Sequence, residues 1–247
     1  MKWKTWPRLA VALLVSGLAL GLTVPGRTDS GEQSPIDIHT ADAIQARLPQ
    51  LEFRYRRSTP LEVINTGSPD ENATVRAVVP SGAGRLRVGG VTSKLLQFHW
   101  HAPAEHLING HQYPMEMHLV HQAQNGALSV VGIFIKQGKA NKELAKIFRR
   151  LPQNNSDSTS IRAFDLTRLL PRSHRSFRYF GSLTTPPFTE GVRWAVLAQP
   201  LSFSEDQIEA FQALFPEGNA REVEPLNNRV VLTDLRFGIF SPLEPAK

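Results

Sequence analysis

Six of the chain's eight histidines fall in one stretch, Gln97 to His121, which reads QFHWHAPAEHLINGHQYPMEMHLVH. Side chains at i and i+2 of a β-strand share a face, so His99 and His101 aim two imidazoles at one point. His118 lies in a second strand-like apolar run, EMHLVH. A fold that sets these two runs side by side brings a third ring to the same point. Three neutral ring nitrogens with one open position make a catalytic zinc site, where the metal lowers the pKa of bound water to about 7. The competing reading is three hydrogen-bonded core histidines, and a His-x-His pair alone does not decide between the two.

The neighbours change the balance. Gln97 shares the face of His99 and His101, and Glu116 shares the face of His118. Each can accept the second ring N–H of a liganding histidine, which fixes its tautomer and orientation. A carboxylate in that place is costly inside a core unless it has such a partner.

Most other segments read as short strands. Leu61 to Asn65, Thr74 to Val79, Arg85 to Val88 and Lys94 to His101 are β-branched or alternate apolar with polar,. Ser81 to Gly84 and Gly89-Gly90 are turn signals between them. Met115 to His121, Leu128 to Ile135 and Val192 to Ala198 continue the series. Leu128 to Ile135 is nearly all apolar, so it is expected to be a central strand buried on both faces. Two segments read as packing helices. Asn141 to Leu151 has Leu144, Ile147, Phe148 and Leu151 at helical spacing. Ser204 to Phe215 opens with the capping-box pair Ser204 and Gln207 and ends at Pro216. The expected class is mainly β: a mostly antiparallel sheet with a few short surface helices.

Four blocks occur in order: Gln33-Ser34-Pro35-Ile36-Asp37-Ile38, QFHWH, EMHLVH and Gly181-Ser182-Leu183-Thr184-Thr185-Pro186-Pro187. Together they closely resemble the α-class carbonic anhydrases, over about Gly31 to Pro242. The resemblance implies a large twisted central sheet with a metal at the bottom of a cone-shaped cleft. It implies Zn2+ on His99, His101 and His118, with Gln97 and Glu116 supporting the ligands. Thr184 resembles the family's gatekeeper threonine, which orients the zinc-bound hydroxide and donates its own proton to Glu105. Val120, Val130, Leu183, Val192 and Trp194 match the apolar pocket for carbon dioxide, with Thr185 on its polar side. His106, His121 and Tyr179 match buried structural positions, whereas His39, His111 and His174 read as loop or surface residues. The implied activity is reversible hydration of carbon dioxide to bicarbonate and a proton. The alternative is a catalytically weak zinc-binding member of the same fold.

Composition bounds the partners. The chain has 247 residues and a formal charge of +6, of which Lys2, Lys4 and Arg8 supply three. The remaining cations are scattered without interleaved aromatics, which argues against nucleic acid as a partner. Leu9 to Leu22 is an uncharged apolar run behind those three cations. It reads as a secretory leader ending near residue 28, ahead of one domain over residues 29–247, because a spanning helix needs about 20 apolar residues. Export to the periplasm or medium is expected; the alternative is an anchor formed by an uncleaved leader, the only route to membrane contact. There are no cysteines. Many exported relatives carry a disulfide whose second position corresponds to Gly191 here, so this domain is expected to rely on its core.

Two departures from the family pattern stand out. Fast members carry a proton-shuttling His after Asn-x-Gly. Here Asn65-Thr66-Gly67 is followed by Ser68, or by Ala73 if the intervening residues are an insertion, so no shuttle is identified. The family's aromatic-rich segment upstream of Gln33 is also missing here, or the gene start differs.

Overall fold

The computed structural model describes residues 31–67 and 73–235; the leader and Ser68 lie outside the described residues. Twelve strands form one mixed sheet. Along its main path run Ser158–Phe164, Thr59–Asn65, Val75–Val78, Val91–His101, Met115–Ala123, Leu128–Gln137, Glu190–Phe203, Ser176–Ser182, Leu232–Thr233 and Ile44–Gln45. Glu52–Tyr55 and Gly84–Val88 pair beside Val91–His101. A separate small sheet joins Asp37–Ile38, Leu107–Ile108 and His111–Gln112.

The large sheet's pairing is mostly antiparallel, as the alternating strands suggest, with two parallel exceptions, and Asp37–Ile38 also runs parallel to Leu107–Ile108 in the small sheet. Leu128–Gln137 runs parallel to Glu190–Phe203, and Leu232–Thr233 runs parallel to Ile44–Gln45. The Leu128–Gln137 strand is central, and Val130 through Ile135 are buried. Its continuous apolar run is what covering both faces requires.

Alternation divides the sheet's contacts into two cores. Phe98, Trp100, Leu119, Val131, Ala195 and Leu197 face one side, where Ile147, Phe148, Ile208 and Phe211 of the two helices pack on them. Val120, Val130, Trp194, Val196 and Tyr179 face the other side with Ile36 and Ile38. Phe98 and Trp100 are fully buried, and truncating such a ring to alanine costs about 3–5 kcal/mol. This leaves residues 97, 99 and 101 on the second side.

The Ser204 helix forms over Glu205–Gln212 with its capping box in place. The Asn141–Leu151 helix is shorter than its apolar spacing suggests, covering only Ala145–Phe148. Bonds from Lys146 and Ile147 reach back three residues, not four, so flanking turns replace further α-helix,. Of the histidines assigned to loops or surface, His39 and His111 are exposed as expected and His174 is not. His111 sits on a short exposed strand, and His174 is partly buried with its ring 4.8 Å from Phe53.

Candidate active site

Three adjacent rows across the sheet build the site. In the first, Arg76, His99, His118 and Gly132 stand opposite one another on four neighbouring strands. In the second, Gln97, Val120, Val130, Trp194 and Tyr179 do the same. In the third, His101 faces Glu116, which faces Phe134. Directly opposed residues share a face, so one row sets two histidines side by side and its neighbours supply a third histidine, a carboxylate and an apolar wall. Ring nitrogens of His99, His101 and His118 lie within 4.8 Å of one another.

Each ring has one nitrogen occupied, which leaves the other free. His99 Nδ1 is 2.8 Å from Gln97 Oε1. His101 Nδ1 is 2.9 Å from the Asn219 carbonyl. His118 Nε2 is 2.9 Å from Glu116 Oε1. Because each partner is an acceptor, each of these nitrogens carries the proton and the opposite nitrogen keeps its lone pair. His101 Nε2 is buried and has no hydrogen-bond partner among the described residues. A buried nitrogen left bare beside two others fits a metal ion and is hard to explain otherwise.

The electrostatics agree. Burial lowers the His101 pKa to about 4. Burial also lowers His118, and it drives His99 well below its ordinary value with help from His101, His118 and Arg76. All three rings are therefore neutral at pH 7, the form that ligates metals.

Glu116 is fully buried yet ionised. Burial alone would raise its carboxyl, but His106 and His118 outweigh this and hold it well below the usual range. Its Oε2 accepts the backbone N–H groups of Glu105 and His106 at 3.1 and 2.8 Å. Its Oε1 takes His106 Nδ1 at 2.8 Å as well as His118. His106 Nε2 continues to the Tyr179 hydroxyl at 2.6 Å, which meets Ser34 Oγ at 2.9 Å. The Gln-Ser-Pro motif is thus the far end of a polar chain that starts at His118. His106, His121 and Tyr179 are buried as expected, and His121 Nε2 lies 2.7 Å from the Tyr55 hydroxyl.

Glu105 lies beside the same rings, with Oε1 3.4 Å from His101 Nδ1 and Oε2 3.7 Å from His118 Nδ1. Burial raises its pKa to about 7, while His118, the Arg221 backbone N–H and the Thr184 side chain pull it down. The Arg221 N–H is 3.0 Å from Glu105 Oε1. Thr184 is buried and close enough to act on that carboxyl. Glu105 Oε2 itself is buried without a hydrogen-bond partner among the described residues.

Val120, Val130, Val192 and Trp194 are buried together, with Leu183 packed against them. The Trp194 ring is 4.9 Å from that of His118, and its N–H is spent on the Ser182 carbonyl at 2.9 Å. Trp194 therefore presents only carbon to the site. Thr185 is partly exposed one residue beyond Thr184, and its carbonyl accepts from Phe188 N–H.

Three contributors escaped the sequence reading. Asn219 supplies the acceptor for His101, and its side chain ties down Ala102 N, Ala73 O and Trp100 O. Arg221 positions Glu105 through its main chain. Gly132 makes room: a Cβ there would come within 2.7 Å of Glu116 Oε1. One signal was available, because Gln97 and Glu116 answer for two ligands and leave His101 without a partner.

Residues 24–235 match the family described as eukaryotic-type carbonic anhydrase. A carbonic anhydrase of Nostoc sp. is 40% identical over 205 residues, covering 81% of this chain and 75% of that protein. One from Pectobacterium atrosepticum is 36% identical, covering 81% and 79%. Among solved structures, the α-carbonic anhydrase of Thermovibrio ammonificans, in complex with the inhibitor sulfanilamide, superposes with a TM-score of 0.76. It is 40% identical, covering 82% of this chain and 87% of that one. The Photobacterium profundum α-carbonic anhydrase gives 0.75 at 37% identity, covering 83% and 90%. A mainly β fold with a histidine cluster on one sheet face and matches of this extent define the class. This chain belongs to the α-class carbonic anhydrase family and is an enzyme of that class.

Proposed function

We propose that the chain catalyses the reversible hydration of carbon dioxide using one zinc ion held by His99 Nε2, His101 Nε2 and His118 Nδ1. The observation that carries this reading is the bare, buried Nε2 of His101 beside two neutral rings whose other nitrogens are already spoken for. When bound, zinc supplies the Lewis acidity that turns water into a nucleophile near neutral pH.

The chain's own residues do the rest. Gln97, Asn219 and Glu116 hold the three tautomers, so the lone pairs converge without rearrangement. Thr184, backed by the buried Glu105 carboxyl, aims the nucleophile's lone pair and admits only a ligand that brings its own proton,. Val120, Val130, Leu183, Val192 and Trp194 offer a neutral, linear substrate an apolar wall, and Thr185 borders it on the polar side. Each turnover leaves one proton to export. His39, His111 and His174 are engaged elsewhere, beside Asp37, Tyr113 and Phe53 respectively. Water and dissolved buffer take the proton in this reading.

The cationic, apolar leader supports export to the periplasm or medium, with residues 29–247 as the working domain. Stopped-flow hydration at stoichiometric zinc tests the proposal. Activity that disappears on chelation and returns with zinc supports it. A zinc-loaded protein without hydration activity rules it out.

A further inference from the structure

The row that carries His99 and His118 continues outward to Arg76, which stands directly opposite His99 on the Val75–Val78 strand. Directly opposed side chains share a face, with Cβ atoms about 5 Å apart. Arg76 therefore rises beside a ligand-bearing ring. It is exposed, and among the described residues no carboxylate pairs with it. On its other side it faces Ile64, and the next position on its own face is Val78, opposite Gln97. Its charge is felt in the site, since it is one of the groups that lower His99.

A guanidinium next to a metal centre needs a reason, because it repels the cation the site is built to take. The reaction's two carbon species differ in charge. Carbon dioxide is neutral and is indifferent to Arg76. Bicarbonate is an anion with planar, paired oxygens that suit a guanidinium fork.

We infer that Arg76 makes the sheet face beside His99 an anion-docking site, which strengthens the binding of small oxyanions, bicarbonate above all, and leaves carbon dioxide binding unchanged. The inference rests on the reading of the site as a zinc centre for this reaction. It gives the site unequal affinities for the two carbon species. Because the charge is exposed, added salt weakens the effect over a Debye length of about 10 Å at 0.1 M.

The test compares the zinc-loaded wild type with Arg76→Gln and Arg76→Lys. Arg76→Gln raises KM for bicarbonate in dehydration about three- to tenfold at low ionic strength, the scale of one partly exposed charge. KM for carbon dioxide in hydration stays the same. Calorimetric titration with bicarbonate, which needs no turnover, shows the same loss of affinity, and Arg76→Lys recovers part of it. High salt narrows the gap between wild type and Arg76→Gln. An unchanged bicarbonate affinity in Arg76→Gln overturns the inference. So does an equal shift in both KM values, which would mark Arg76 as structural. A wild type that holds zinc but hydrates no carbon dioxide defeats the functional reading instead, and the bicarbonate titration still decides the role of Arg76.

Discussion

Glu116 Oε1 receives His118 Nε2 at 2.9 Å, and this one contact sets which nitrogen of His118 is left for the metal. Glu116→Gln replaces a buried carboxylate by an amide that can present N–H where His118 needs an acceptor. The expected result is a zinc affinity lower by about 10–100-fold, the usual cost of losing a partner behind a ligand. Competition with a chromophoric chelator measures it. Equal affinities in variant and wild type would show that the contact does not orient the ring.

Thr184 separates binding from chemistry. It holds no lone pair of the proposed ligand set, so Thr184→Ala keeps its zinc. Turnover falls by roughly 10²-fold, the scale of removing one preorganised partner. Metal content and kcat measured on the same sample decide the point. Wild-type kcat in that variant would remove Thr184 from the mechanism.

Proton export leaves a kinetic signature. Asn65-Thr66-Gly67 leads to Ser68 and Ala73, neither of which titrates near neutrality,. The expected behaviour is a kcat that climbs with buffer concentration, while kcat/KM stays level because attack on carbon dioxide precedes proton export. Initial rates across a buffer series test this. A kcat indifferent to buffer would reveal an internal shuttle.

His121 links stability to pH. Burial lowers its pKa to about 4 in the folded chain, whereas an unfolded histidine titrates near 6.5. The unfolded state therefore binds a proton first. Stability is complete above about pH 6.5 and is lost progressively down to about pH 4, by on the order of 3 kcal/mol in full. Urea midpoints at pH 7.5, 6 and 5 are expected to fall less steeply in His121→Gln than in wild type, even though the variant starts lower. Parallel curves would contradict the assignment.

How far the sequence reveals this enzyme depends on the range of each interaction. Strand alternation is local, so the faces of His99, His101 and His118 and the buried run from Leu128 to Ile135 are legible directly. The capping box at Ser204 is equally local. The parallel pairing of Leu128–Gln137 with Glu190–Phe203 is a matter of topology and leaves no periodic trace. Asn219 and Arg221 act from more than a hundred residues away, largely through main-chain atoms that any residue possesses. Gly132 is visible only once Glu116 is known to point at it. The Asn141 segment shows the opposite error, since apolar spacing reports the buried face but not the hydrogen-bond register that limits the helix to one turn.

The central claim is that three histidines hold one zinc ion, and metal analysis of His118→Ala tests it most directly. Two imidazoles cannot complete the site. The account predicts wild type with one zinc per chain after dialysis against chelator-free buffer, and His118→Ala with far less than one and no hydration activity. Full zinc occupancy in His118→Ala would contradict it.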